Sequence, residues 1–423
     1  MTQGKNNIFK ILELFFAIFS LVHLSQAISP VILSGGTSEG DGTAITNFDF
    51  SLNAKISLLI YFVTLVLLAM RWKRFFFTLS SDKFILMLIG IICFSYFWSV
   101  QPEQTFRFSI YAIGTTAFGI YLATRYTLKE QMELLSWTYA FLLILSVLFA
   151  IALPQYGLMG GVHAGAFRGV FTHKNQFGAM MVPGGVIFLL NALRGLKNSW
   201  IDWFLLALTC ATMVLSRSTT SLGTLIVMLV LCIIYRVFRW RYEVLLSAML
   251  AVTIIGIAGV IWINSYVESD SFFGALGKDA TLSSRTFIWQ YVWDQIQLRP
   301  WFGYGLAAFW NGFEGPSGYI QLAMTINVVY AHNGFLDIWL SIGIVGLCIF
   351  LASFFSTTFQ SLTLLRKTNT PEGFWPLLFL TYIVLSNLTE GTITTMSNSF
   401  WAIYTAISYS LVIAKNNQYA ISE

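Results

Sequence analysis

Charge is what this chain most lacks. Of its 423 residues only 10% are Asp, Glu, Lys or Arg, whereas a soluble domain carries about 25%. So small a supply of charge excludes an ordinary soluble domain. With 57% hydrophobic residues and a mean hydropathy of +0.71, the composition is that of an integral membrane protein. Cysteine is scarce as well. Cys93, Cys210, Cys232 and Cys348 all stand inside apolar runs, which excludes a disulfide framework and any cysteine ligand spacing. His163 and His173 match no metal-ligand pattern either, so no metal is expected. The net charge of +5 does not indicate nucleic-acid binding, because membrane proteins gather basic residues in cytoplasmic connectors.

What is present is long apolar runs. A spanning helix needs about 20 mainly apolar residues. On that template the chain is expected to be an all-α integral membrane protein of about twelve transmembrane helices, at 8–29, 54–70, 83–99, 107–124, 134–153, 176–193, 200–216, 220–235, 243–263, 333–355, 374–390 and 398–414. Sorting the basic residues by connector puts sixteen on one side and eight on the other. The richer side is assigned to the cytoplasm, with both termini inside. Residues 1–263 then hold nine helices, 264–332 form one large outer loop, and 333–423 hold three helices and a cytoplasmic tail. The apolar core near the start ends at Ser25-Gln-Ala27 like a signal peptide, but the apolar run continues, which favours a retained anchor. The outer loop at 29–52 is rich in Gly, Ser, Thr and Asp and offers no chemistry. Pro183-Gly184-Gly185 is expected to kink or break the sixth span.

The eight outer cations are Lys55, Arg107, Arg168, Lys174, Arg217, Lys278, Arg285 and Arg299, and they are the exceptions to the positive-inside pattern. Arg217 sits between two apolar runs with almost no loop to carry it into water. It either snorkels to headgroups or serves as a fixed cation at an anionic site. From Ser283 or Ser284 to Arg299 the chain reads as a serine-capped helix stopped by Pro300. Ile288, Val292 and Ile296, with Phe287, Trp289 and Trp293 beside them, suggest that it lies along the membrane interface. Arg285 would fall in its first turn, where free N–H groups and a guanidinium together suit a phosphate. His332 precedes Asn333 where the loop enters the tenth span. Its ring is either a structural hydrogen-bonding group or a general base with a suitable ordinary pKa. A carboxylate, Asp279 or Glu314, is the alternative base. Trp289, Trp301, Tyr304 and Trp310 can stack on sugar rings or anchor the loop at the interface.

Four segments in order carry a family resemblance: RGVFTHKNQFG at 168–178, LSRSTTSLG at 215–223, SSRTFIW with RPWFGYG between 283 and 305, and AHNGFLDIWLSIGIVGL at 331–347. The chain resembles the O-antigen ligase and polysaccharide polymerase superfamily, most of all exopolysaccharide polymerases of the succinoglycan type. The resemblance covers about 150–350; the first 150 residues match only in hydropathy. It implies a metal-independent, inverting glycosyltransferase in a bacterial plasma (inner) membrane, with its active site facing the periplasm. Its donor would be a glycan on undecaprenyl diphosphate and its acceptor a glycan or lipid. A chain-length regulator would be a further partner, and no cofactor is implied. The family's arginines map onto Arg168, Arg217 and Arg285 as diphosphate ligands, and its essential histidine onto His332. His173, Lys174, Asn175, Tyr304 and Asn333 are candidate substrate-binding residues.

Polymerisation of repeat units is the leading expectation, since THKN at 172–175 looks more like polymerases. Ligation of a finished glycan is the alternative. The chain lacks a strongly basic outer loop, which leaves recognition of a lipid A core without support. A polysaccharide transporter or flippase would suit the span count, but transporters place polar sites near the midplane in repeat-related broken helices. Here no internal repeat is visible and the ionisable residues gather at one face.

Overall fold

The computed structural model describes residues 2–37, 49–195, 198–238, 281–324, 328–368 and 370–422. The expected span at 243–263 and the head of the large loop, including Lys278 and Asp279, lie outside the described residues, as does the side chain of Glu314.

Helices stand over the other eleven expected spans. In chain order the helices are α1 (Thr2–Leu24), α2 (Ser29–Leu33), α3 (Ser51–Ala69), α4 (Trp72–Ser81), α5 (Lys83–Phe94), α6 (Pro102–Arg125), α7 (Leu128–Ala152), α8 (Pro154–Gly157), α9 (Lys174–Ala192), α10 (Ser199–Leu215) and α11 (Thr219–Phe238). They continue with α12 (Thr281–Leu298), α13 (Gly318–Met324), α14 (Gly334–Lys367), α15 (Pro371–Asn387) and α16 (Ser399–Ser422). Among the described residues there is no strand, only an isolated bridge between Leu158 and Phe167. By length and apolarity α3, α7 and α14 each suffice to cross a membrane, and α4 with the Lys83–Trp98 stretch passes as a pair bent by 88°. The apolar stretches of α10, α11 and α16 are shorter. The helices thus bear out an all-α membrane protein, but not the count of twelve crossings.

Local chemistry explains the element boundaries. Thr127 and Glu130 form a reciprocal capping box at the head of α7. The Asp82 carboxylate accepts from Phe84 N and Ile85 N and so caps α5 at the bend. In the packing α6 lies against α16 and α3, α9 against α10 and α11, and α14 against α15 and α5. Polar pairings respect the two-sided sorting of connectors. Glu13 is 3% exposed and binds Arg71 at 2.6 Å and Arg125 at 2.7 Å; both arginines come from connectors assigned to the cytoplasm. Among the described residues, the ion pairs of the outer connectors join outer residues to one another, as set out below.

The place of the helix break changes. α9 runs unbroken through Pro183, and its glycines serve close approach: a Cβ on Gly185 would lie 2.9 Å from Leu225. The break falls instead in α14, at Gly343, with φ 71° and ψ −178°. There the RPWFGYG segment takes the freed peptide groups. Tyr304 N and Gly305 N donate to Leu340 O and Ser341 O at 2.8 and 2.9 Å, while Ile344 N and Val345 N donate to Pro300 O and Trp301 O at 2.8 and 3.3 Å. Backbone satisfied in this way can be irregular inside a membrane protein.

Candidate active site

α12 is already helical at Thr281, the first described residue of this stretch, ahead of the serine-capped start expected from the sequence, so Arg285 lies about a turn inside it. The free N–H groups of the helix start are therefore not beside Arg285. Ile288, Val292 and Ile296 are buried, as their spacing suggested, but against the chain itself: they pack on Tyr304, Phe309, Ile320, Val328, Ala331 and Leu340. Phe287 and Trp293 stay exposed. The helix is one wall of a small cap with its own core.

The cap and the helix ends converge on Glu390, which nothing in its local sequence singles out. It lies in the turn after α15 and is 14% exposed. Its Oε1 is 3.3 Å from Arg285 Nη2 and 3.5 Å from Asn175 Nδ2. Its Oε2 accepts from Tyr330 Oη at 3.0 Å and faces His332 Nδ1 at 3.7 Å. That last distance is too long for a hydrogen bond, and the buried Nδ1 has no hydrogen-bond partner in the structure. Burial alone would raise the pKa of Glu390. The adjacent His332 ring, the Arg285 charge and the Tyr330 hydroxyl outweigh burial and hold the carboxyl below the usual glutamate range. Burial, and then the same carboxylate, push the Tyr330 phenol upward.

Asn175 extends the cluster, since Ser218 Oγ donates to its Oδ1 at 3.0 Å. Ser218 follows Arg217, the turn residue between α10 and α11, whose φ is 52° and whose side chain is exposed. The backbone of His332 is also left-handed, with φ 52°. Two expected site residues thus hold a sparsely populated backbone conformation, which is commonest where function fixes geometry.

Other expected ligands are placed differently. Arg168 is fully buried, and its guanidinium donates to the carbonyls of Tyr156, Thr37, Thr172, Gly36 and Gln155. It thereby ties the first outer loop to the segment before α9, instead of facing open space. A lysine cannot span five carbonyls, so Arg168→Lys is expected to lower stability by about 2–3 kcal/mol, read as earlier thermal unfolding in detergent. Tyr304 is 4% exposed, and its hydroxyl donates to Gln295 O and Oε1 at 2.9 and 3.1 Å within the cap core. Asn333 caps α14 by accepting from Phe335 N and Leu336 N. His173 caps α9 by accepting from Asn175 N at 3.1 Å, its ring edge-on to His163. The Lys174 backbone N–H donates to Met159 Sδ. The indoles expected to stack on sugars or anchor at the interface use their N–H groups internally: Trp289 on Ala331 O, Trp310 on Asp337 Oδ1. Trp301 remains exposed.

A multi-pass helical membrane protein with a cation, a histidine and a carboxylate gathered at one end is the class these features define. Residues 204–351 match the family model described as O-Antigen ligase. The chain is also 25% identical over 345 residues to the exopolysaccharide production protein ExoQ of Rhizobium meliloti (strain 1021), the alignment covering 78% of each protein. The family match includes Arg217, Arg285 and His332; Arg168, Asn175 and Glu390 fall outside it.

Proposed function

We propose that the protein is a membrane glycosyltransferase that polymerises oligosaccharide repeat units carried on undecaprenyl diphosphate, at the outer, periplasmic face of the plasma membrane, without a metal. The observation that carries this reading is the meeting of Arg285, Asn175, Tyr330 and His332 on the Glu390 carboxylate. The relation to ExoQ, by its name a protein of exopolysaccharide production, supports it.

In the reaction an acceptor sugar hydroxyl attacks the anomeric carbon of the donor. The new glycosidic bond forms as the carbon–oxygen bond to the diphosphate breaks, with inversion. His332 Nδ1 faces Glu390, which leaves Nε2 to take the hydroxyl proton while the nearby carboxylate charge stabilises the imidazolium. Arg217 and Arg285 supply positive charge where the diphosphate leaves, and guanidinium forks suit phosphate at any working pH. Arg285 would exchange its Glu390 contact for the diphosphate. Arg168 supports the site by tying Gly36 and Thr37 to the segment that leads into α9 and Asn175.

Purified protein in nanodiscs, given lipid-linked repeat units and a chelator, is expected to produce a ladder of lengthening lipid-linked products. Arg285→Ala and His332→Ala should lose the ladder while remaining folded. Full activity in both variants would overturn the assigned site. A second reading, ligation of a finished glycan, is favoured by the O-antigen ligase description of residues 204–351. It predicts no ladder from the donor alone, but transfer once a separate acceptor is added.

A further inference from the structure

His332 is held in its left-handed conformation, at φ 52°, by contacts that converge on its predecessor. Ala331 is fully buried. Its carbonyl accepts from Trp289 Nε1 of α12 at 2.9 Å. Its N–H donates to Asp337, lying 3.1 Å from Oδ1 and 3.3 Å from Oδ2. Asp337 is 2% exposed, and its Oδ1 also accepts from Trp310 Nε1 at 2.7 Å. Both polar groups of one residue are thus gripped by side chains from two helices, and one of those side chains is pinned from a third segment. On the other side of His332, Asn333 is fixed as the cap of α14. A residue with φ near +50° persists only where its surroundings over-determine it, and here the surroundings are identifiable.

From this geometry we infer that Asp337 and Trp289 are positioning residues for His332. They clamp the Ala331 peptide so that the imidazole is presented to the acceptor hydroxyl with Nδ1 toward Glu390. The inference rests on the reading of His332 as the base. It also gives the cap a part in catalysis, because Trp289 and Trp310 tie the cap to the backbone that places the base. Neither Asp337 nor Trp289 touches substrate in this scheme. Their effect passes through backbone geometry, where displacement by about 1 Å can cost on the order of 10²-fold in rate.

The test compares Trp289→Phe, Asp337→Asn and His332→Ala in the same nanodisc assay with lipid-linked repeat units. Hydrogen exchange of a peptide spanning 328–335 and retention of undecaprenyl diphosphate are measured in parallel. Trp289→Phe keeps an aromatic ring and removes the N–H. It is expected to lower kcat about tenfold or more, to speed exchange of the 328–335 amides, and to leave KM for the donor and diphosphate retention unchanged. A merely structural residue would lower the amount of folded protein and leave kcat per folded molecule intact. If Asp337→Asn fails to fold, Trp289→Phe carries the test alone. Wild-type kcat in Trp289→Phe, with His332→Ala inactive, overturns the clamp and spares the base. Wild-type kcat in His332→Ala overturns the base assignment itself, and the clamp with it.

Discussion

Replacing Glu390 with glutamine is expected to lower turnover about 10²- to 10⁴-fold while leaving the protein folded and able to hold its donor. Glutamine keeps the shape of the side chain and an acceptor for Arg285 and Asn175. It loses the charge that faces His332 Nδ1 at 3.7 Å and that Arg285 Nη2 meets at 3.3 Å. The ring then has no anion to stabilise the imidazolium formed when the acceptor gives up its proton. Arg285, facing a neutral amide instead of an anion, should bind the donor diphosphate as well as before or more tightly. The signature is therefore a fall in kcat with an unchanged or lower donor KM, read from single-turnover and steady-state kinetics. Alanine is a poorer probe, because it leaves Arg285 largely buried beside a void. Unchanged kcat in Glu390→Gln would remove the carboxylate from the mechanism.

The same substitution has a pH signature in stability. The carboxyl of Glu390 is held below the usual range in the folded protein by His332, Arg285 and Tyr330 against the opposing effect of burial. A depressed folded pKa contributes stability that is complete above the unfolded value, about 4.3, and is lost as pH falls through the folded value. The gap in thermal stability between wild type and Glu390→Gln should therefore be widest near neutrality and close below about pH 4.

The sequence made some of this site legible and hid the rest for a physical reason. In a chain so poor in charge, an arginine or histidine in an outer connector stands out by contrast, which is what marks Arg217, Arg285 and His332. Apolar runs likewise locate the helices. Glu390 leaves no such mark. It sits among threonines and serines at the end of an apolar run, and its partners Arg285 and Asn175 are 105 and 215 residues away in sequence. A hub made only of long-range contacts has no local pattern. Arg168 misleads in the opposite sense: its charge is visible, but the carbonyls that occupy its guanidinium are not. Trp289 and Trp310 read as an interfacial belt because composition shows an indole and not the direction of its N–H. Pro183-Gly184-Gly185 carries the local signs of a broken helix, yet a break needs partners for the freed peptide groups. Those partners are supplied at Gly343 by a loop from elsewhere in the chain.

That loop makes Gly343 the position where the smallest change should cost most. At φ 71° and ψ −178° its backbone lies in a region open essentially to glycine alone, which costs another residue about 1–3 kcal/mol. A Cβ there would also strike the carbonyl and backbone of Trp301, in a segment that cannot retreat, because Pro300 O and Trp301 O accept from Ile344 N and Val345 N. Overpacking against backbone adds about 1–3 kcal/mol. Gly343→Ala is therefore expected to destabilise the protein by roughly 3–5 kcal/mol, seen as a large drop in melting temperature in detergent. Gly90→Ala is the control. It lies inside α5 with nothing within 4 Å of an added Cβ, so alanine should stabilise it slightly, by up to about 1 kcal/mol. Because the RPWFGYG strap joins the cap to the helix whose first turn follows His332, surviving Gly343→Ala protein should also turn over slowly. Wild-type melting and turnover in Gly343→Ala would mean that the strap does not hold the cap to α14. Loss of turnover with wild-type melting would instead place its main effect on the alignment of the cap with the base.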